Sequence, residues 1–198
     1  DAAHLMPPFM GQGMCAGIRD VSNLAWKISH CLKKKHDDKL LNTYQSERSS
    51  NVKEYIETTM RMGEFVNAVG KSPITNNISA DSKGRKSMKS IKPKLGRGLG
   101  KPNDKFRGNI FPQFKNNGKN LDIKFSRKPI LVLSDKFKQS LSNKINCYRN
   151  KSNLKLSRYL ENANCEGLIV RPDRFILASI KNLKDVKLIT KRNLKLLI

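Results

Sequence analysis

A glycine-rich turn near the start of the chain carries the residue types that could most directly do chemistry. Pro7 and Pro8 stiffen the approach to it, and Gly11 and Gly13 flank one glutamine before a long amphipathic stretch. Glycines permit backbone angles and close approaches that a Cβ would forbid. The first N–H groups of a helix have no partner inside the helix, and the helix dipole favours negative charge beside them. We therefore expect the backbone at Gly13 and Met14 to face an anionic or electron-rich ligand.

Three interpretations of this turn are open on spacing alone. A dinucleotide-binding turn of the G-x-G-x-x-G type needs a preceding strand and a third glycine, but Gly17 lies one residue too far along and no strand precedes Gly11. A Walker phosphate loop needs Gly-Lys followed by Ser or Thr, which the turn lacks. The third interpretation is a tight turn that begins a helix and binds no ligand.

The longer string around the turn resembles a known flavoprotein motif. Residues 1–27, "DAAHLMPPFMGQGMCAGIRDVSNLAWK", resemble the second FAD motif of the class A aromatic hydroxylases of the para-hydroxybenzoate hydroxylase type. The matching positions are Asp1 to His4, Pro8, Gly11, Gly13 and Asn23 to Lys27. Within that family, "GQGMCAGIRD" is most similar to the 3-(3-hydroxyphenyl)propionate hydroxylase branch.

The resemblance implies FAD as cofactor, NAD(P)H as cosubstrate and a small phenolic substrate such as 3-(3-hydroxyphenyl)propionate, hydroxylated with oxygen. It implies that Asp1 accepts hydrogen bonds from the ribityl hydroxyls of FAD. The backbone at Gly13 and Met14, reached through the turn at Gly11, would face the pyrimidine edge of the flavin ring, and Pro8 would shape its substrate side. It assigns no catalytic residue and no metal ligand.

The sequence also departs from the family. The first FAD motif, a true G-x-G-x-x-G, is missing, and so is the glycine expected before Asp1. We therefore expect a C-terminal part of a longer enzyme that is inactive alone.

A second resemblance lies further along the chain. "GNIFPQ" at 108–113 and "GLIVRPDRFILA" at 167–178 resemble the thioredoxin-like C-terminal domain found in many of these hydroxylases. The expected fold is thus an α/β fragment, in which the helical end of an FAD-binding domain precedes a small thioredoxin-like α/β domain. The expected boundaries are 1–70 for the first part, 71–103 for a basic, poorly packed linker and 104–198 for the second domain.

Hydrophobic periodicity predicts the elements of both parts. A helix over 14–32 would share one apolar face, spaced at three and four residues: Ile18, Val21, Ala25, Ile28 and Leu32. We expect this face to be uncovered when the N-terminal part of an FAD-binding domain is absent. A second helix, antiparallel to it, begins at a cap at Asp37 or Asp38 and stops at Gly70 and Pro73. Strands are predicted at 129–134, 168–170 and 175–178, with a turn at 171–173 and a last helix over 182–198.

The net charge of +24 suggests a different class of protein. Residues 71–158 hold 23 basic and only 4 acidic residues, which would attract nucleic acid. A base-composition bias of the genome explains the excess equally well. A nucleic-acid-binding surface over 71–158 is the alternative function, and it would need aromatic residues among the basic ones, as Phe106, Phe111, Phe114 and Phe125 are.

The remaining candidate residues are given structural roles. His4 is expected to pack or lie at the surface, Trp26 to lie in the core, and Cys147 and Cys165 to be buried apolar residues. His30, Cys31 and His36 match no standard zinc spacing, so no metal site is predicted. The absence of C-x-x-C pairs and of long apolar runs predicts a cytoplasmic protein without a membrane partner. A homo-oligomer formed through the C-terminal domain stays open.

Overall fold

The computed structural model describes residues 3–33, 38–67, 78–80, 86–88, 91–116, 118–121, 128–138, 146–150 and 153–193. Its helices are α1 (Gly13–Lys33), α2 (Thr43–Asn67), α3 (Leu154–Asn162) and α4 (Leu183–Asn193). Its strands are β1 (Ile78–Ala80), β2 (Lys86–Met88), β3 (Lys115–Asn116), β4 (Lys119–Asn120), β5 (Ile130–Leu133), β6 (Cys147–Arg149), β7 (Gly167–Val170) and β8 (Ile176–Ile180). Asp1, Asp37, Gly70 and Pro73 lie outside the described residues.

The predicted first helix is confirmed, and its apolar face is uncovered among the described residues, as expected of a chain that lacks the first FAD motif. Ile18 is 57%, Val21 67% and Leu32 77% exposed. The buried positions are instead Ala16, Asp20, Asn23, Trp26, Lys27 and Cys31. The physical reason is that the polar side of α1 finds charged partners on α2 and further along the chain, whereas its apolar side meets none of the described elements closely enough to be covered.

The second helix, α2, is also confirmed and runs antiparallel to α1. Arg19 of α1 lies over the ring of Tyr55, whereas Lys27, two turns later, contacts Glu47. Residue numbers at these contacts increase along α1 and decrease along α2, so the two helices are antiparallel. The helix begins later than expected, because Asp38 belongs to a separate 3-10 turn, Asp38–Leu40, and the Thr43 hydroxyl donates to the Leu40 carbonyl.

The larger sheet has the strand order β6-β5-β7-β8. Strands β5 and β6 are parallel, whereas β5–β7 and β7–β8 are antiparallel. The three predicted strands are β5, β7 and β8. The predicted turn connects β7 to β8, and within it the Arg174 N–H donates to the Arg171 carbonyl. We call residues 128–193 the C-terminal unit.

Alternate residues of the central strands point to opposite faces of the sheet, and a helix covers each face. One core contains Val132, Leu168 and Val170 together with Leu156 and Leu160 of α3. The other core contains Leu131, Leu133, Ile169 and Leu177 together with Val186 and Ile189 of α4. Helix α3 was not predicted; Asn153 caps it by accepting a hydrogen bond from the Leu156 N–H at 3.0 Å. Helix α4 was predicted.

Residues 91–100 form an extended strap along α2. The Gly96 N–H donates to the Glu47 carbonyl at 2.8 Å, and the Asn51 amide donates to the Pro93 carbonyl at 2.6 Å. Leu95 is buried. The expectation of poor packing is therefore wrong for this stretch, because unpaired backbone groups of the strap find partners on the helix. The domain boundaries themselves stay a prediction.

Two expectations about single residues are confirmed and one is wrong. Trp26 and Cys165 are buried, and burial raises the pKa of the Cys165 thiol to about 11. Cys147 is exposed, because it lies on the outward side of the edge strand β6. No helix among the described residues is long and apolar enough to cross a bilayer.

The sheet generates a first prediction. Leu168→Ala removes a fully buried side chain from a central strand, and we expect it to lower the free energy of unfolding by about 2–5 kcal/mol. Leu154→Ala, at a residue 72% exposed, is the matched control and should change it by less than about 0.5 kcal/mol. Urea denaturation followed by circular dichroism measures both. Equal effects of the two variants would contradict the described core.

Candidate functional site

The turn before α1 is built as its glycines suggest. Pro8–Met10 form a 3-10 turn that ends at Gly11, whose φ is +59° and whose N–H donates to the Pro8 carbonyl. The first intrahelical bond of α1 runs from the Ala16 N–H to the Gln12 carbonyl at 2.8 Å. The N–H groups of Gly13, Met14 and Cys15 precede that bond, so the helix itself provides no acceptor for them.

The turn is open to a ligand. Pro8, Gly11 and Gly13 are exposed, and Met14 is 76% exposed. A Cβ added at Gly11 or Gly13 would meet nothing within 4 Å. No acidic residue lies in the first turn of α1. Four of the predicted site residues thus lie together around one bare helix start, while the fifth, Asp1, lies outside the described residues.

Two contacts of the Asp20 carboxylate hold the segment just before the turn. The His4 ring contacts the Asp20 carboxylate at 2.5 Å, and the Asp20 carboxylate accepts from Arg48 of α2 at 2.6 Å. His4 therefore packs against α1, as expected, and Asp20 ties it to α2.

A second group of charged residues lies further along α1, and sequence reasoning missed it. We call it the Glu47 cluster; its members are Asn23, Lys27, Glu47, Arg171 and Asp173. Glu47 and Lys27 are completely buried, and their charged groups are 2.9 Å apart. Arg171 donates to both carboxylate oxygens of Glu47, at 2.9 and 2.8 Å.

Further hydrogen bonds connect Asp173, Asn23 and the strap to the Glu47 cluster. Arg171 also donates to the Asp173 carboxylate, at 3.0 and 2.6 Å. The Asn23 amide bridges the two carboxylates, donating to Glu47 at 3.2 Å and to Asp173 at 2.9 Å. The Leu99 N–H of the strap donates to Glu47 at 2.9 Å. The cluster therefore joins α1, α2, the strap and the C-terminal unit.

Burial and opposite charge act against each other in this cluster. Burial by itself would raise the pKa of Glu47, but attraction to Arg171 and Lys27 outweighs it and lowers that pKa to about 2. Burial lowers the pKa of the Lys27 ammonium, and Glu47 only partly offsets this. The pKa of Arg171 rises, because Asp173 and Glu47 more than compensate for its burial. Glu47 is therefore a carboxylate at neutral pH.

Two segments singled out in the sequence contribute residues to the cluster. Lys27 ends the motif Asn23–Lys27, and Arg171 and Asp173 belong to the turn predicted at 171–173. Neither pattern contains the partner, because Glu47 is 124 residues from Arg171 along the chain. Only the tertiary structure brings them together.

The described residues do not support an aromatic nucleic-acid platform. Phe111 and Phe114 are buried, their ring centroids lie 5.3 Å apart, and both pack on Tyr159 in the core. Phe106 is partly buried against the same core, and Phe125 lies outside the described residues. No group of histidine, cysteine or acidic side chains in the described part of the chain is arranged to hold a metal ion.

Comparison with known proteins agrees with the geometry of the turn. A family model described as an FAD binding domain matches residues 1–59. The match covers the segment that holds the turn and α1. The family-level resemblance to FAD-dependent aromatic hydroxylases is thereby confirmed.

Curated relatives point to the same group of enzymes. The chain is similar to a "Probable NADH-specific resorcinol 4-hydroxylase" of Rhodococcus jostii, with 39% identity over 117 residues, 57% of this chain and 21% of the relative. It is also similar to a 3-(3-hydroxy-phenyl)propionate/3-hydroxycinnamic acid hydroxylase of Burkholderia vietnamiensis, with 46% identity over 66 residues, 33% of this chain and 12% of the relative. The chain thus spans about a fifth or less of the length of these relatives.

Solved structures show that the likeness of fold extends over nearly the whole chain. The flavin-dependent monooxygenase PieE, crystallised with FAD and substrate, superposes with a TM-score of 0.62 at 13% identity, covering 95% of this chain and 45% of that one. Aklavinone-11 hydroxylase, in a complex with FAD and aklavinone, superposes with a TM-score of 0.56 at 18% identity, covering 96% and 42%. The chain has an α/β fold of the FAD-dependent monooxygenase type.

The pKa of Glu47 generates a second prediction. The pKa of Glu47 lies below its ordinary value of 4.5 in the folded state. The stabilisation that the Glu47 carboxylate provides is therefore complete above pH 4.5 and is lost as the pH falls towards 2. Glu47→Gln should remove this pH dependence and lower the free energy of unfolding at pH 7 by about 3 kcal/mol.

Urea denaturation at pH 7, 5 and 3 measures this effect. The groups that face Glu47 are Lys27 from α1, Arg171 and Asp173 from the turn, and Arg107 from the loop after the strap. Glu161→Gln is the matched control, since Glu161 pairs with Lys136 at the surface. A Glu47→Gln variant as stable as the control, with an unchanged pH profile, would show that the cluster contributes no net stabilisation.

Proposed function

We propose that the chain is part of an FAD-dependent monooxygenase that hydroxylates a phenolic substrate with NAD(P)H and oxygen. The observation that carries the proposal is the match of residues 1–59 to an FAD binding domain, in a segment that presents an uncapped helix start. The curated relatives are named for hydroxylation of resorcinol and of 3-(3-hydroxyphenyl)propionate, both phenols. A substrate of the second kind is our proposal for this enzyme, and NADH is the cosubstrate named in one relative.

The residues around the turn fit the flavin. Its pyrimidine edge presents carbonyl oxygens and ring nitrogens, and the free N–H groups of Gly13 and Met14 are donors of the matching kind. Negative charge near that edge is stabilised by the helix start. The Arg19 guanidinium, 3.4 Å from the Gln12 side chain, adds positive potential beside the turn. The open space at Gly11 and Gly13 leaves room for a flat ring.

Each predicted site residue then has a role in binding. Asp1 would accept hydrogen bonds from the ribityl hydroxyls, Gly13 and Met14 would donate to the ring, and Gly11 would give the turn its left-handed backbone. Exposed Pro8 would border the substrate side. When bound, FAD supplies the redox chemistry between NAD(P)H, oxygen and the phenol. The protein residues bind and orient the ring and keep water from it.

We further propose the domain arrangement 1–70, 71–103 and 104–198, with a thioredoxin-like fold for the last part. A parallel strand pair next to an antiparallel hairpin in one four-stranded sheet, with helices on both faces, supports that fold. The first part would be the C-terminal end of an FAD-binding domain, and the rest of such a domain would cover the exposed apolar side of α1. Four free cysteines support a reducing, cytoplasmic setting. A homo-oligomer through the C-terminal unit is also proposed, and light scattering tests it.

The proposal predicts that this chain alone retains FAD weakly or not at all. The pyrophosphate site of such a domain lies in its first glycine motif, which residues 1–198 do not contain. Flavin fluorescence during an FAD titration measures retention, and NADH oxidation with a phenylpropionate measures activity. We expect binding to be restored when the N-terminal half of a relative is joined ahead of Asp1. Tight binding or substrate-dependent NADH consumption by the isolated chain would contradict this prediction.

The joined protein also tests the turn itself. Gly11→Ala places a side chain at φ +59°, which strains the left-handed turn, and we expect it to weaken FAD binding about tenfold. Gly118→Ala is the matched control, because Gly118 has φ +74° and equally open surroundings in the hairpin between β3 and β4. If both variants bind FAD like the unchanged joined protein, the turn does not hold the flavin.

A further inference from the structure

Among the described residues, the contacts that hold helix α1 come from one side of it. Its apolar side is exposed at Met14, Ile18, Val21 and Leu32. The contacts that hold it in the described structure come from the opposite side, through Asp20, Asn23, Trp26 and Lys27. The rotation of α1 about its axis, and hence the direction in which its first N–H groups point, depends on that side.

Three of these four anchors, Asn23, Trp26 and Lys27, converge on one residue of the C-terminal unit. Arg171 is bound to Glu47 and Asp173, which in turn hold Asn23 and Lys27 of α1. The Arg171 guanidinium also lies 5.2 Å from the centre of the Trp26 ring. A single side chain from outside the helical pair thus touches, directly or through one partner, three successive buried positions of α1.

The strap makes this arrangement tight. Gly98 lies against the Glu47 side chain so closely that an added Cβ would overlap it. Arg107 donates to the Leu99 and Gly96 carbonyls at 2.8 and 2.6 Å and so holds the strap in place. The strap therefore packs directly against the Glu47 side chain and donates one hydrogen bond to it.

We propose that the C-terminal unit orients α1 through the Glu47 cluster, and that Arg171 is a positioning residue for the turn at 11–14. The α1 residues that Arg171 reaches, Asn23, Trp26 and Lys27, all follow the turn along the helix. Arg171 acts by fixing the helix that carries the turn. That this turn faces a flavin rests on the proposed function; the orientation of α1 by Arg171 does not.

The chain contains its own probe for this interface. Trp26 is the single tryptophan of the protein, so its fluorescence reports the contact with Arg171 without a label. Amide hydrogen exchange of the peptide covering 11–20 reports the turn and the first helical turns. Neither measurement needs FAD, so they test the orientation of α1 whether or not the proposed function is correct.

The experiment compares Arg171→Gln, Arg171→Lys and Arg158→Gln in the full 198-residue chain. Arg171→Gln should shift the Trp26 emission to longer wavelength, raise its acrylamide quenching about threefold and speed exchange over 11–20, while strands β5 and β7 stay protected. Arg171→Lys keeps the charge but loses the paired hydrogen bonds, and it should lie between wild type and Arg171→Gln. Arg158→Gln, at an exposed arginine of the same unit, should resemble wild type.

If Arg171→Gln does not fold, Arg171→Lys is compared with wild type and with Arg158→Gln instead. The proposal is overturned if the folded Arg171 variants change exchange only near 171–176 and leave both Trp26 emission and residues 11–20 as in wild type. It is also overturned if Arg158→Gln produces the same changes as Arg171→Gln, because the effect would then come from lost positive charge in general.

Discussion

A carboxylate with no exposure to solvent is the constraint on which this structure depends. Glu47 accepts hydrogen bonds from Asn23, Lys27, Arg171 and the Leu99 N–H. A buried charge that lost one of these partners would be strongly destabilising, whereas the complete set can be accommodated. The three segments that supply the donors, which are α1, the strap and the turn after β7, must therefore assemble around α2 together.

This constraint explains the unusual burial of α1. A helix usually turns its apolar stripe inward, yet here the side carrying Asp20, Asn23 and Lys27 is inside and the side carrying Ile18 and Val21 is outside. The polar side meets charged partners within the chain. The apolar side is the one for which the proposed remainder of an FAD-binding domain would be the natural cover.

The C-terminal unit combines two roles in one turn. Its strands β7 and β8 need a tight connection, and the residues that make it, 171–174, include the arginine that reaches Glu47. The central strands of the sheet behind the turn are buried on both faces. A rigid support is what a positioning residue requires, because a mobile one could not fix the rotation of α1. Likeness of fold to PieE over 95% of the chain indicates that the two parts form a recurring arrangement.

Local patterns in the sequence determined a good deal about this protein. Glycines at 11 and 13, helical periodicity over 14–32 and short apolar runs at 129–134, 168–170 and 175–178 each depend on neighbouring residues, and the elements they predicted are present. The family-level match and FAD as cofactor likewise followed from a contiguous string. Tertiary structure alone decided which side of α1 is buried, that residues 91–100 pack on α2, and that Glu47 meets Arg171. Periodicity identifies a stripe but not its partner, and a charge can be buried only where an opposite charge from elsewhere in the chain compensates for its lost hydration.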